Sequence, residues 1–190
     1  MRWIWIDKFV EFESGKRAVA IKNVTLAEEH LHDHFPGFPV MPETLCIEGM
    51  AQTAGILVGE AKHFGEKVIL AKIRKAVFFD YVKPGDTIKL EATIETISKE
   101  AASTTGRITR LPIDCLIRTS FLETGFVEAG SQDLTKQRFG GQACGEKIVA
   151  EIDLMFSHID RNIAGKEFPE ENFVFTDTFK SLMRSLSLKE

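Results

Sequence analysis

The chain of 190 residues has three cysteines, one tyrosine and no long stretch free of charge, and each scarcity closes a class. Cys46, Cys115 and Cys144 are odd in number and nowhere at C-x-x-C spacing, which argues against a zinc ribbon or a disulfide framework. No uncharged run approaches the roughly 20 apolar residues of a membrane span. The apolar opening, residues 1–6, meets Asp7 and Lys8 at once and is too short for the core of a secretion signal. The expectation is a cytoplasmic protein with reduced thiols. Lysine and arginine number 24 against 28 acidic residues, and no basic run is long enough to track phosphates, so neither nucleic acid nor membrane is an expected partner. With 44% hydrophobic residues, wholesale disorder is excluded as well.

What is present has a clear order. Fifteen phenylalanines imply a large apolar core or an apolar tunnel. Residues 9–12 and 18–24 are strand-like around a turn at Glu13-Ser14-Gly15-Lys16. Thr25 and Glu28 have capping-box spacing, which predicts one or two helical turns over 26–31. Pro36, Pro39 and Pro42 then predict a stiff, extended, solvent-poor loop. Pro42 opens a long helix as its first residue. Between 45 and 58 that helix is almost wholly apolar or small, so it is buried on most sides, and Gly49, Ala51, Ala54 and Gly55 would let other backbones come close. From Val68 onward the period is two: strands are expected over 68–79, 88–94 and 101–108, with a turn at Pro84-Gly85-Asp86, and again over 148–156. One buried helix followed by meandering strands is an α+β pattern, an antiparallel sheet wrapped around a central buried helix. Residues 109–145 show no sustained period and are expected to be an irregular insertion in a single domain spanning 1–160. Residues 161–190 form an extension, where Phe179, Leu182, Met183 and Leu186 predict a short amphipathic helix.

Two side chains carry chemistry. Glu48 stands within the apolar helix, where an unpaired carboxylate is costly, and Gln52 lies one turn on to hold it. His34 stands just before Phe35-Pro36-Gly37. His30, His32 and His34 alternate, but Pro36 breaks the strand that would bring them to one face, and no metal is assigned. A histidine on a stiff loop feeding a helix that carries a carboxylate places two titratable groups near one apolar cavity. Free N–H groups at Glu43 and Thr44 could stabilise an oxyanion. Base, acid and oxyanion site are the parts of proton abstraction beside a carbonyl.

His34-Phe35-Pro36-Gly37, Pro39-Val40-Met41-Pro42 and Ile47-Glu48-Gly49-Met50-Ala51-Gln52, in that order and with His34 and Glu48 fourteen positions apart, resemble the signature of the beta-hydroxyacyl-[acyl-carrier-protein] dehydratases. The resemblance implies the hot-dog fold and dehydration of (3R)-3-hydroxyacyl thioesters to trans-2-enoyl thioesters, in fatty-acid or related acyl-chain synthesis and without a cofactor. It implies His34 as base at C2, Glu48 as acid at the C3 hydroxyl, and the amides of Glu43 and Thr44 at the thioester carbonyl. Gly37, Phe38 and Gln52 join them as substrate-binding residues. A glutamate at this position is similar to the dehydratase-only branch; the isomerising branch usually has aspartate. The partner would be an acyl-carrier protein docking on Lys72, Arg74 and Lys75. The assembly would be a homodimer, with a trimer of dimers left open, and each site shared between two subunits. Glu43 departs from the family's usual glycine, and the segment 109–145 replaces a tight hairpin. A coenzyme-A thioesterase or hydratase, or a catalytically weak acyl-binding subunit, are the alternatives.

Overall fold

The computed structural model describes residues 4–112, 145–159, 162, 163, 166, 167 and 175. Strands β1 (Lys8–Glu13) and β2 (Arg17–Asn23) form a hairpin. A single turn, α1 (His30–Asp33), and the long helix α2 (Glu43–Glu60) follow. Then come β3 (Lys67–Phe78), β4 (Thr87–Ile97), β5 (Ala101–Leu111) and β6 (Lys147–Ile159). These six strands make one antiparallel sheet in the order β1-β2-β4-β5-β6-β3. A two-stranded ribbon pairs β7 (Asn162–Ile163) with β8 (Lys166–Glu167). Helix α2 packs against β2, β3, β4, β5 and β6. One helix can touch five of six strands only if the sheet curls around it. Among the described residues, no helix is long and apolar enough to cross a membrane.

The core fills the space between helix and sheet. Met50, Leu57 and Val58 of α2 meet Leu90, Ile108, Ile152 and Leu154, all fully buried. The small helix residues admit close neighbours: Leu90 fills the space beside Gly49, where the Trp5 main-chain oxygen also approaches, and the Phe156 ring fills the space beside Gly55. The tightest spot lies opposite, at Gly106 of β5. A Cβ there would stand 2.8 Å from the Ile152 carbonyl oxygen and 2.9 Å from Met50 Cε. Because one neighbour is main chain, the strand itself must shift. Gly106→Ala is therefore expected to cost about 1–3 kcal/mol and to lower Tm by roughly 3–10 °C. Thermal unfolding followed by circular dichroism checks this, and an unchanged Tm would contradict the packing.

Several boundaries differ from the sequence reading. The helix expected over 26–31 is displaced to His30–Asp33. Glu28 does accept the Thr25 N–H at 3.1 Å, but the bond closes a turn first. Pro42 is the N-cap, one place before the helix: its ψ of 136° is extended while its carbonyl takes the Leu45 and Cys46 N–H groups. The strand expected to end at 108 continues to Leu111, so residues 109–111 of the expected irregular insertion are strand instead. Residues 113–144 and the expected C-terminal helix lie outside the described residues.

Candidate active site

The proline-rich loop is neither extended nor solvent-poor in the single chain. Phe35 and Phe38 exchange main-chain hydrogen bonds (3.1 and 2.9 Å) across Pro36 and Gly37, and Gly37 has φ +77°. Proline then glycine at the two central positions is the type II turn, whose second place requires positive φ. Phe35 and Phe38 are both exposed at this turn.

The turn sets His34 in a definite state. His34 Nδ1 lies 2.8 Å from the Val40 carbonyl oxygen, and the Val40 N–H donates back to the His34 carbonyl at 2.9 Å. Val40 is buried, so this closed pair is shielded. A carbonyl can only accept; Nδ1 therefore carries the proton, and in the neutral ring Nε2 is the basic nitrogen. The Phe35 ring stacks on the imidazole, with centroids 4.1 Å apart. His32 turns to the Leu26 carbonyl instead, and His30 to Trp5 and Glu28. The three alternating histidines thus have three different surroundings, and no cluster of three potential metal ligands occurs among the described residues.

Glu48 is held by a relay. Gln52 Nε2 donates to Glu48 Oε1 at 2.7 Å, and Gln52 Oε1 accepts the Trp5 main-chain N–H at 2.7 Å. That N–H can only donate, which fixes the Gln52 amide's orientation. Oε1 of Glu48 faces a donor, so a protonated Glu48 carries its proton on Oε2. The burial differs from the sequence reading. Helix α2 is covered on every side from Gln52 to Gly59, but its first turns leave Thr44 exposed and Ile47, Glu48 and Ala51 half-buried on one stripe. Glu48 belongs to that stripe, which the chain's own sheet does not cover. No hydrogen bond or ion pair joins His34 to Glu48 within one chain.

The other expected site residues separate into groups. Glu43 and Thr44 are exposed, and their N–H groups precede the helix's own ladder, which starts with Leu45 and Cys46 on the Pro42 carbonyl. Cys46 behind them is buried and free; burial pushes its thiol up to about 12, too high for a nucleophile at neutral pH. Phe38 meets Tyr81 edge-on (6.0 Å), and the Lys83 ammonium lies 4.6 Å from the Phe38 ring centre. On β3, Lys75 pairs with Glu151 at 2.7 Å and Arg74 with Glu95 at 3.4 Å, while Lys72 is exposed and has no ion pair among the described residues. Two residues that the sequence reading missed are structural to the site. The Val40 carbonyl gives no signal in the identity of a side chain, and Trp5 is 47 positions from Gln52.

Comparison with known proteins gives relatives in sequence and in fold. The chain is 44% identical over 96 residues to the 3-hydroxyacyl-[acyl-carrier-protein] dehydratase FabZ of Caldanaerobacter subterraneus, covering 50% of this chain and 68% of that protein. It is 40% identical over 108 residues to the protein of that name from Thermomicrobium roseum, covering 56% and 72%. Among solved structures it shares the hot-dog fold of a Streptococcus mutans protein bound to acetyl CoA, with TM-score 0.54, 13% identity and coverage of 84% and 93%. A Staphylococcus aureus acyl-CoA hydrolase mutant aligns with TM-score 0.51 at 16% identity, covering 89% and 81%. At such identities these two structures speak for the fold alone. The sequence matches the FabA-like domain over residues 3–114, and the chain belongs to that family.

Proposed function

We propose that this chain is a 3-hydroxyacyl-[acyl-carrier-protein] dehydratase of fatty-acid or related acyl-chain synthesis. The observation that carries the reading is the closed pair between His34 and Val40, which leaves Nε2 as the free base. His34 Nε2 takes the C2 proton of a (3R)-3-hydroxyacyl thioester. The C3–O bond breaks as Glu48 Oε2 gives its proton to the departing hydroxyl, so water and a trans-2-enoyl thioester leave. The Glu43 and Thr44 amides take up charge on the thioester oxygen, with Gly37 and Phe38 shaping the acyl entrance. Solvent then returns a proton to Glu48 and removes one from His34, which restores both groups. Purified protein given a 3-hydroxyacyl thioester should produce enoyl absorbance; free thiol release instead would favour a thioesterase, and neither would leave a binding subunit. We place the reaction in the cytoplasm.

The assembly is a homodimer in this reading. Among the described residues β3 is paired on its β6 side alone, and the exposed apolar residues Ile73, Val77, Phe79 and Tyr81 run along and beyond it. An unpaired edge carrying such residues is a template for a second copy. The half-open stripe that holds Glu48 would meet the partner subunit's loop, bringing one subunit's base to the other's acid.

Docking of the carrier protein rests on local charge, since the chain is net negative. Arg74 and Lys75 have glutamate partners already, and Arg110 and Lys147 share Asp80, whose carboxyl is held down at about 2, chiefly by the Lys147 hydrogen bond. Among the described residues Lys72 and Lys83 have no such partners, and we assign them the main docking role. Lys83→Glu is expected to raise KM for carrier-bound substrate roughly fivefold, the equivalent of about 1 kcal/mol for a rim charge, while KM for a small thioester mimic stays put. Equal changes for both substrates would move the docking surface elsewhere.

A further inference from the structure

We infer that Trp5 is a positioning residue for Glu48, held by a polar cluster that also contains Lys22, Glu28 and His30 and acting through Gln52. The inference rests on the acid role proposed for Glu48. The Trp5 main-chain N–H bonds Gln52 Oε1, and Gln52 Nε2 bonds Glu48 Oε1, both at 2.7 Å. The Trp5 N–H favours the amide orientation that turns the Gln52 oxygen toward it, and if the N–H moves away that preference is lost. A flipped amide turns its oxygen toward Glu48 and accepts the proton that the substrate hydroxyl should receive.

The side chain of Trp5 is what holds that N–H still. The Lys22 ammonium lies 5.0 Å from the indole ring centre, within cation–π range, and the His30 ring centroid is 5.4 Å away. Lys22 is itself fixed, donating to the Asn23 carbonyl at 3.0 Å and to Glu28 Oε1 at 3.1 Å. Glu28 Oε1 also takes the Thr25 N–H, which ties the cluster to the turn leading toward the His34 loop. The other oxygen, Glu28 Oε2, faces His30 Nε2 at 3.8 Å. Burial lowers the pKa of His30, so its ring is neutral at pH 7 and does not compete with Lys22 for Glu28. This polar cluster takes no part in the proposed chemistry, yet it adjoins the main-chain N–H that donates to Gln52. Its position, reaching from the acid's support to the start of the base's loop, gives it a reason to be there.

A double-mutant cycle tests this, with turnover of a 3-hydroxyacyl thioester as the readout. Trp5→Ala is expected to lower kcat roughly tenfold through misplacement of Glu48 and to leave KM within about twofold. Trp5→Phe keeps a ring for Lys22 and His30 and should restore most of kcat. Trp5→Ala combined with Gln52→Ala should be no worse than Gln52→Ala alone, because the first acts only through the second. Multiplied losses, or a wild-type kcat in Trp5→Ala, would overturn the inference. Should Trp5→Ala fail to fold, Lys22→Met takes its place in the same cycle with the same outcomes. The Gln52 side-chain amide protons, assigned by NMR, give a reading that needs no catalysis. Their exchange with solvent should speed up roughly tenfold in Trp5→Ala, and unchanged exchange overturns the inference. Absence of wild-type turnover would instead reject the dehydratase reading and leave the NMR result to decide the positioning.

Discussion

Glu48→Gln should lower turnover by ~10²–10⁴-fold, the usual contribution of a general acid or base, with little change in Tm. The substitution is nearly isosteric, and its amide oxygen can still accept the Gln52 Nε2 bond that holds the wild-type carboxylate. What is lost is the proton on Oε2, without which the C3 hydroxyl must depart as hydroxide. His34→Ala removes the base and should cost a similar factor, although for that variant some stability goes too. The buried Val40 carbonyl loses its ring donor, at about 1–3 kcal/mol if nothing replaces it. Rates from enoyl absorbance and Tm from thermal unfolding separate the two effects. Near-wild-type turnover in either folded variant would remove that residue from the mechanism.

Mixing the two damaged proteins should bring activity back. When Glu48→Ala and His34→Ala chains are unfolded and refolded together, random pairing makes about half of the dimers mixed. If one site takes His34 from one subunit and Glu48 from the other, each mixed dimer holds one doubly damaged and one intact site. Recovery should therefore approach about a quarter of wild-type activity. The single chain already leans this way: His34 and Glu48 make no bond to each other, and the stripe carrying Glu48 is left uncovered by its own sheet. If both residues came from the same chain, no mixed dimer would hold an intact site. Mass measurement that confirms heterodimers, alongside activity that stays at the level of the parents, would end the shared-site model.

The sequence was most informative where the relevant neighbours are local. Glu48 and Gln52 sit one helical turn apart, so their bond follows from spacing as soon as the helix is recognised. The alternation of Ile88, Leu90 and Ala92 with polar residues likewise marks the inner face of β4, where all three are fully buried. In the loop three prolines predict extended chain, but Pro36-Gly37 is a turn signal that overrides them. Other features depend on chain segments far apart in sequence. Which side of α2 stays open is decided by how far the sheet curls, and Arg74 and Lys75 find their glutamates on β4 and β6. No periodicity within β3 could have shown that. Trp5 reaches Gln52 through its main chain, which looks the same at every residue except proline.

The Val40 contact has an evolutionary side. The group that fixes the His34 tautomer is a main-chain carbonyl, and every amino acid supplies one. A point mutation at position 40 can alter the packing around the contact but cannot delete the acceptor. The valine side chain is free to drift among apolar residues of similar volume as lineages diverge. Position 52 has no such freedom, because the amide that grips Glu48 is a side chain and most substitutions abolish it. The base is thus insured against the commonest kind of genetic accident, and the acid is not. Variation tolerated at 40 and purged at 52 is the pattern this asymmetry would write into a population of such sequences.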